Sequence, residues 1–406
     1  LVFILPLNVP DEFYHYKVST KISMFQIFNQ NIMIPSNLEE YNLYTLFNNN
    51  VSYDNLIPAE SGGYHPILYA FSGFGLWLSK LLQLSPIAGL YMGRSANLIL
   101  YLIVGYYIVK KIPMAKFLMI IYLLNPMFLQ QAASFSADAL INIFSMLFIS
   151  YVLYIRYEKN NIKTKDFIIL LTSYMIVFAG KYAYFLLVLL FILIWKELKD
   201  YILEHKKQAI IITLIIVIIG VCWLVYTNIP KEQIVENIKS ETPQSTESKL
   251  LHILKNPTYI LPIYFNTLLT KFDSYLTTFL GAYLGPLTIA ITPVYTIIYA
   301  IILVVAVFMD KEKHELDKKS KIINIIIFIL TFHIILAGLY LGWGVITDTI
   351  IQGVQGRYFI PIVILLLLAM VRKKNIALTK MELPILIVLL VTNVLIIRDV
   401  ILQFLI

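Results

Sequence analysis

Apolar runs of eighteen or more residues recur along the chain, separated by short loops that carry clusters of lysine. Each run is long enough to cross a hydrocarbon core of about 30 Å as a helix. Within a bilayer, backbone amides are satisfied only by helices or closed barrels. The alternating segments of roughly ten residues that build a barrel are absent. Composition agrees: 59% of residues are hydrophobic and 14% charged, with mean hydropathy +0.78, against about 25% charged in a soluble domain. The expectation is an all-α polytopic membrane protein. The net charge of +8 does not point to nucleic acid, because Lys and Arg sit in loops between apolar runs, as the positive-inside rule requires. Cys222, the single cysteine, lies within an apolar run. It rules out an intramolecular disulfide or a cysteine metal cluster.

The run Leu1–Leu7 reads as the end of a first helix rather than a signal peptide. Residues 8–91 then form a first extracytoplasmic loop. Its polar part, 11–63, holds Asp11, Glu12, Glu39, Glu40, Asp54 and Glu60 but only Lys17 and Lys21 as bases, a balance that belongs outside the cytoplasm. Asn48-Asn49-Asn50 and Ser61-Gly62-Gly63 read as loop breakers, with short interfacial helices between them. Tyr64–Leu84 is apolar enough to span, and charge parity arbitrates. If it spans, every later basic loop falls outside. If it lies at the outer interface, residues 92–109 run inward and Lys110, Lys111 and Lys116 are cytoplasmic.

The second choice fits the rest. Spans at 117–134, 137–155 and 208–227 belong to a helical core over 92–227, and 166–195 breaks at Gly180-Lys181 into two short helices. A long outer region covers 228–287, followed by C-terminal helices over 288–406, with spans at 288–309, 322–341, 357–371 and 383–401. About eleven spans result, with all basic clusters on one side.

Charges left on the outer side are functional suspects by default. They are Asp11, Glu12, His15, His65, Arg94, Asp138, Lys181 and Arg357, the last within Gln355-Gly356-Arg357-Tyr358. Each has a plainer reading. Pro10-Asp11-Glu12 suits a helix N-terminus, Asp138 suits an N-cap, Lys181 and Arg357 can snorkel to headgroups, and Arg94 can pair with an acid of the outer loop. Their gathering on one face suits a lipid phosphate. Arg grips phosphate oxygens bidentately and Lys supplies a point charge. A nearby carboxylate can take a proton from an acceptor hydroxyl.

The acidic pair after the first helix, the outer loop and His65-Pro66 before an Arg-led helix resemble the GT-C superfamily of membrane glycosyltransferases. Pro10-Asp11-Glu12 with His15, Gly93-Arg94, Ser136-Ala137-Asp138, Gly180-Lys181 and Gln355-Gly356-Arg357-Tyr358-Phe359 look like an uncharacterised bacterial membrane-protein family grouped with it. The resemblance implies inverting transfer of a sugar from a polyprenyl-phosphate donor to a cell-envelope glycan or glycopolymer, at the outer face of the bacterial cytoplasmic membrane. Asp11 would be the base, with Glu12 and His15 beside it. Arg94, Asp138, Lys181, Gln355, Arg357, Tyr358 and His65 would bind substrate and phosphate. Some superfamily members need a divalent cation and others do not; no metal ligand set is assigned here. A transporter or flippase for a lipid-linked precursor, or a non-catalytic envelope-assembly protein, are the alternatives. Transporters place charges at the midplane on broken helices and show internal repeats, and no repeat of Pro10-Asp11-Glu12 is present.

Overall fold

The computed structural model describes residues 4–26, 31–35, 38, 56–60, 64–159, 161–228, 246–309, 311, 313–372 and 380–405. The N-terminal part contains α1 (Glu12–Ser23), β1 (Asn31–Pro35), β2 (Leu56–Glu60), a 3-10 turn (Pro66–Tyr69) and α2 (Ala70–Leu81). Next come α3 (Pro86–Lys111), α4 (Lys116–Leu123), α5 (Pro126–Ala132), α6 (Asp138–Tyr154) and α7 (Thr164–Gly180). A 3-10 helix (Tyr182–Ile194) leads to α8 (Trp195–Glu204), α9 (Lys206–Asn228), α10 (Thr246–Lys255) and α11 (Ile260–Phe279). The chain then forms β3 (Tyr283–Leu284), β4 (Ile289–Ala290), α12 (Pro293–Val307), α13 (Lys318–Trp343), a 3-10 turn (Gly356–Phe359), α14 (Ile360–Met370) and α15 (Glu382–Leu405).

Among the described residues, four helices are long and apolar enough to cross a membrane: Pro86–Lys111, Asp138–Lys159, Lys318–Trp343 and Glu382–Gln403. Their burial ranks them. The stretch containing α6 is 89% buried, whereas those of α13 and α15 are 28% buried. A helix that is apolar all round must be covered by protein or by lipid. So α6 is the central post, and α13 and α15 are peripheral, with most of their apolar surface left uncovered by the described protein.

Several sequence expectations change in detail. The protein is mostly helical but not all-α. β1 and β2 form an antiparallel ribbon from Asn31↔Glu60 to Pro35↔Leu56, and β3 pairs with β4. In β1 the burial alternates, with Ile32 and Ile34 inside and Met33 outside, which is the period of a half-buried strand. Ile4–Leu7 form bends and turns rather than a helix end. Pro6 has no N–H to give, Leu7 takes a left-handed φ of 68°, and the Ile4 and Leu5 carbonyls accept from the Arg94 guanidinium. The expected span 117–134 is two helices, α4 and α5, divided at Asn125-Pro126. Pro126 cannot continue a helix through its own nitrogen, and Asn125 Oδ1 caps the new one by accepting from the Phe128 amide at 2.9 Å. The two expected breakers, Asn48-Asn49-Asn50 and Ser61-Gly62-Gly63, lie outside the described residues.

Tyr64–Leu84 contains a 3-10 turn and then α2 of 12 residues. At 1.5 Å per residue α2 is about 18 Å long, well short of a bilayer core of about 30 Å. It is wedged between α1 and α3 through its small residues, as close helix approach in membranes generally requires. A Cβ on Gly73 would run into Ile22, and one on Gly75 into the backbone at Met92. Ser72 and Ser19 hydroxyls meet at 2.8 Å.

The 166–195 run breaks where expected. α7 ends at Gly180, Lys181 is extended (φ −144°, ψ 114°), and the chain resumes as a 13-residue 3-10 helix. That helix is long for its type, but at about 2.0 Å rise per residue it covers about 26 Å, the length of 17-residue α7 at about 1.5 Å. The change of helix type lets a shorter segment return the full height of its neighbour.

Candidate functional site

α1 begins one residue after Asp11, whose backbone is left-handed (φ 62°, ψ 7°) and whose side chain makes no cap bond to the helix it starts. Non-glycine residues adopt that conformation uncommonly, Asp more readily than most, and such positions gather at functional sites. The carboxylate is therefore free to turn outward. Its side chain is 55% exposed, and its Oδ2 accepts from Arg357 Nη2 at 2.7 Å.

Arg357 is buried and held on several sides. Its Nε donates to Gln355 Oε1 at 2.6 Å, Nη1 donates to the Pro10 carbonyl at 3.3 Å, and Nη1 lies 3.6 Å from Asp138 Oδ2. Asp138 also receives Lys181 Nζ at 2.5 Å on its other oxygen. Lys181 stands over the Tyr358 ring, 4.1 Å from its centre. Two acids and two bases thus alternate in one chain, Asp11–Arg357–Asp138–Lys181. They come from the start of α1, the turn before α14, the start of α6 and the break after α7. Gly356 makes the approach possible: a Cβ there would collide with the backbone of Tyr275 and Phe279, and its amide donates to Thr278 Oγ1 at 2.9 Å.

Both ends of that chain face a cavity of about 520 Å³, within the usual range of ligand sites, about 300–1,000 Å³. Asp11, Lys181, His15, Tyr14, Tyr64, Tyr69, Tyr184 and Tyr358 line its polar side; Val18, Ala183, Ile334, Ile335, Gly338, Leu339 and Trp343 line the rest. Arg357 and Asp138 stand behind this wall rather than in it. Of the four, Asp11 and Lys181 line the cavity, and Arg357 and Asp138 hold them by ion pairs.

His15 Nδ1 and the Tyr69 hydroxyl are 2.7 Å apart. Burial pushes the His15 imidazole down to about 4, against the pull of Asp138, so at neutral pH it is uncharged. Burial raises the Tyr64 hydroxyl to about 12 and the Tyr69 hydroxyl well above its ordinary value. These phenols present O–H groups, not phenolates, to the cavity. Tyr184 donates to the Tyr358 carbonyl at 2.8 Å, tying the 3-10 helix to the turn that carries Arg357.

The remaining candidates part from this cluster. Glu12 is sealed in: Oε1 accepts from Arg94 Nε at 2.8 Å and from the Phe135 amide at 3.0 Å, while Oε2 accepts from Arg94 Nη2 at 2.5 Å and from the Val9 amide at 3.1 Å. With each oxygen accepting twice, Glu12 holds the loop before α1 to α3 and the start of α6, and does not reach the cavity. Arg94 serves the same joint and does not line the cavity. His65 Nδ1 accepts from the Ile67 amide at 3.1 Å and caps the 3-10 turn; it does not line the cavity either. Sequence reasoning missed Tyr14, Tyr64, Tyr69 and Tyr184. With 28 tyrosines in the chain, nothing in the spacing singles them out. Among the described residues, no three His, Cys, Asp or Glu side chains gather to hold a metal ion.

Comparison with curated proteins and with solved structures returns no match. A family model described as "Predicted membrane protein (DUF2142)" matches residues 36–366. That match takes in α6, the Gly180-Lys181 break and the turn bearing Arg357. The chain therefore belongs to the DUF2142 family of membrane proteins.

Proposed function

We propose that this protein is an inverting glycosyltransferase that moves a sugar from a polyprenyl-phosphate donor to a cell-envelope glycan or glycopolymer. The observation that carries the reading is that Asp11 and Lys181 line one cavity together with the apolar side chains of Val18, Ile334, Ile335 and Leu339. A carboxylate beside a cation, next to a hydrophobic surface, matches a donor with an anionic head and a hydrocarbon tail. In the reaction the acceptor hydroxyl oxygen forms a bond to the sugar's anomeric carbon as the bond from that carbon to the phosphate oxygen breaks. Asp11 takes the hydroxyl proton, and polyprenyl phosphate leaves with the bonding electrons. Lys181 meets the charge growing on the leaving phosphate, where a prepositioned cation acts most strongly. Arg357 holds Asp11 in place, and Asp138 holds Lys181. Neutral His15, bonded to Tyr69, and the surrounding phenols offer hydrogen-bonding groups to the sugar.

In the same reading the cavity opens on the outer face of the bacterial cytoplasmic membrane. α7 and the 3-10 helix after Lys181 are two of about eleven spans. Both come to about 26 Å on the rises above, which supports that count.

The test is product analysis in reconstituted vesicles with a polyprenyl-phosphate donor labelled in its sugar. The proposal expects label to appear in an envelope glycan acceptor, with one polyprenyl phosphate released per sugar moved. Label that crosses the bilayer still joined to its lipid phosphate would instead favour a flippase.

A further inference from the structure

The cavity is not closed on the side of α13. Gly338 lines it and is exposed, and a Cβ built there meets no atom within 4 Å. Gly75, Gly93 and Gly180 have a packing reason, because a Cβ there would strike the Met92 backbone, the Phe135 ring and the Ile141 side chain respectively, whereas Gly342, one turn on, is as open as Gly338 but does not line the cavity. Gly338 has no packing reason, although a mid-helix glycine is less favourable than alanine. α13 is also long and apolar enough to span a membrane, and its apolar stretch is only 28% buried, so in a bilayer its free surface would face hydrocarbon. A gap in the cavity wall at that helix opens sideways into the bilayer rather than up into water.

The residues around the gap form a stripe. Ile335, Leu339 and Trp343 follow one another at four-residue spacing, and Ile334 and Gly338 run beside them. Residues four apart share a helix face, and from 334 to 343 the stripe is about 14 Å long. Trp343 at the C-terminal end of α13 is 76% exposed, as suits an aromatic at a membrane interface. Lys181 lies in the same cavity.

We propose that Gly338 is a specificity-determining residue. Its missing side chain keeps a lateral window open, through which the hydrocarbon chain of an amphiphilic phosphate lies along α13 while its phosphate reaches Lys181. The inference rests on the phosphate-binding part of the proposed function and adds where the chain goes and what admits it.

The test uses the purified full-length chain in lipid nanodiscs and measures equilibrium binding of two probes, undecaprenyl phosphate and dimethylallyl phosphate. Gly338→Phe fills the window and should weaken the long-chain probe by at least about tenfold, while the short-chain probe changes by less than about twofold. Gly342→Phe is the control: that position is equally open, one turn away, but does not line the cavity, and both probes should bind it as they bind wild type. If Gly338→Phe binds the long chain like wild type, or weakens both probes alike, the window is overturned while the headgroup reading stands. If wild type binds neither probe, both readings fall. A second readout does not depend on any variant surviving: an undecaprenyl phosphate with a diazirine near the phosphate should crosslink wild type within residues 334–343. Crosslinking confined to other helices contradicts the proposal.

Discussion

Asp11 and Glu12 are neighbours, and each is paired with an arginine, yet the two pairs do opposite things. Glu12 and Arg94 are sealed, with side-chain exposures of 0% and 1%. In the other pair Arg357 is 2% exposed and Asp11 55%. A carboxylate whose oxygens each accept two internal hydrogen bonds has nothing left for a substrate. One that is anchored through a single oxygen at a cavity edge keeps its other oxygen available. The left-handed backbone at Asp11 separates them, because it sends consecutive side chains in different directions. Composition and charge alone would treat the two acids as equivalent; burial makes one a joint and leaves the other open to the cavity.

The largest effect should come from breaking the sealed pair. Removing one partner of a buried ion pair leaves an uncompensated charge and costs about 3–5 kcal/mol. Arg94→Leu should therefore lower the thermal unfolding temperature in detergent far more than any change at Asp11. A stable Arg94→Leu protein would mean that Glu12 is not the joint described. Next, Gly356→Ala forces a Cβ against the end of α11 and should cost about 1–3 kcal/mol as overpacking. Because Gly356 seats Arg357, sugar transfer should also fall; intact transfer would show that Arg357 need not sit where it does. Arg357→Lys keeps the charge but loses the fork that reaches Asp11, Asp138 and Gln355 together. Transfer should drop by roughly tenfold, about 1.4 kcal/mol, with donor binding nearly unchanged, since Arg357 does not line the cavity. A loss of donor binding as large as that of Lys181→Gln would put Arg357 in contact with the phosphate after all.

The smallest effect concerns pH. His15 has its folded value lowered to about 4 by burial, below its ordinary 6.5, so the unfolded chain binds the proton first. Its contribution to stability is whole above pH 6.5 and is lost as pH falls toward 4, by roughly 1 kcal/mol at pH 5.5. His65, also lowered to about 4 by burial, acts in the same direction. The drop in unfolding temperature between pH 7.5 and 5.5 should shrink in His15→Gln; an unchanged drop would remove His15 from the account.

What is legible in the sequence is what is local. The break at Gly180-Lys181 was legible because a lysine inside an apolar run has few places to go, and the basic loops were legible because charge is costly in hydrocarbon. The gathering of Asp11, Asp138, Lys181 and Arg357 followed from the same cost. The assignment of partners did not follow. Glu12 meets Arg94 across 82 residues of sequence, and nothing in either residue's neighbours distinguishes that pairing from one with Arg357. The break at Asn125-Pro126 went unread, because 117–134 reads as one apolar run. The alternation in Asn31–Pro35 was too short to read as a strand without its partner at Leu56–Glu60. Tyrosines escaped notice because an amphipathic ring serves a membrane interface as well as a cavity wall.

The central claim is that Asp11 is the reacting carboxylate and Glu12 is not, and paired isosteric variants test it most directly. Sugar transfer from a labelled polyprenyl-phosphate donor and the thermal unfolding temperature are measured side by side for Asp11→Asn and Glu12→Gln. The account predicts that Asp11→Asn loses transfer by about 10²–10⁴-fold, the usual worth of a general base, with donor binding and unfolding temperature held. It predicts that Glu12→Gln loses stability first, with transfer per folded molecule retained. Undiminished transfer by Asp11→Asn would contradict it.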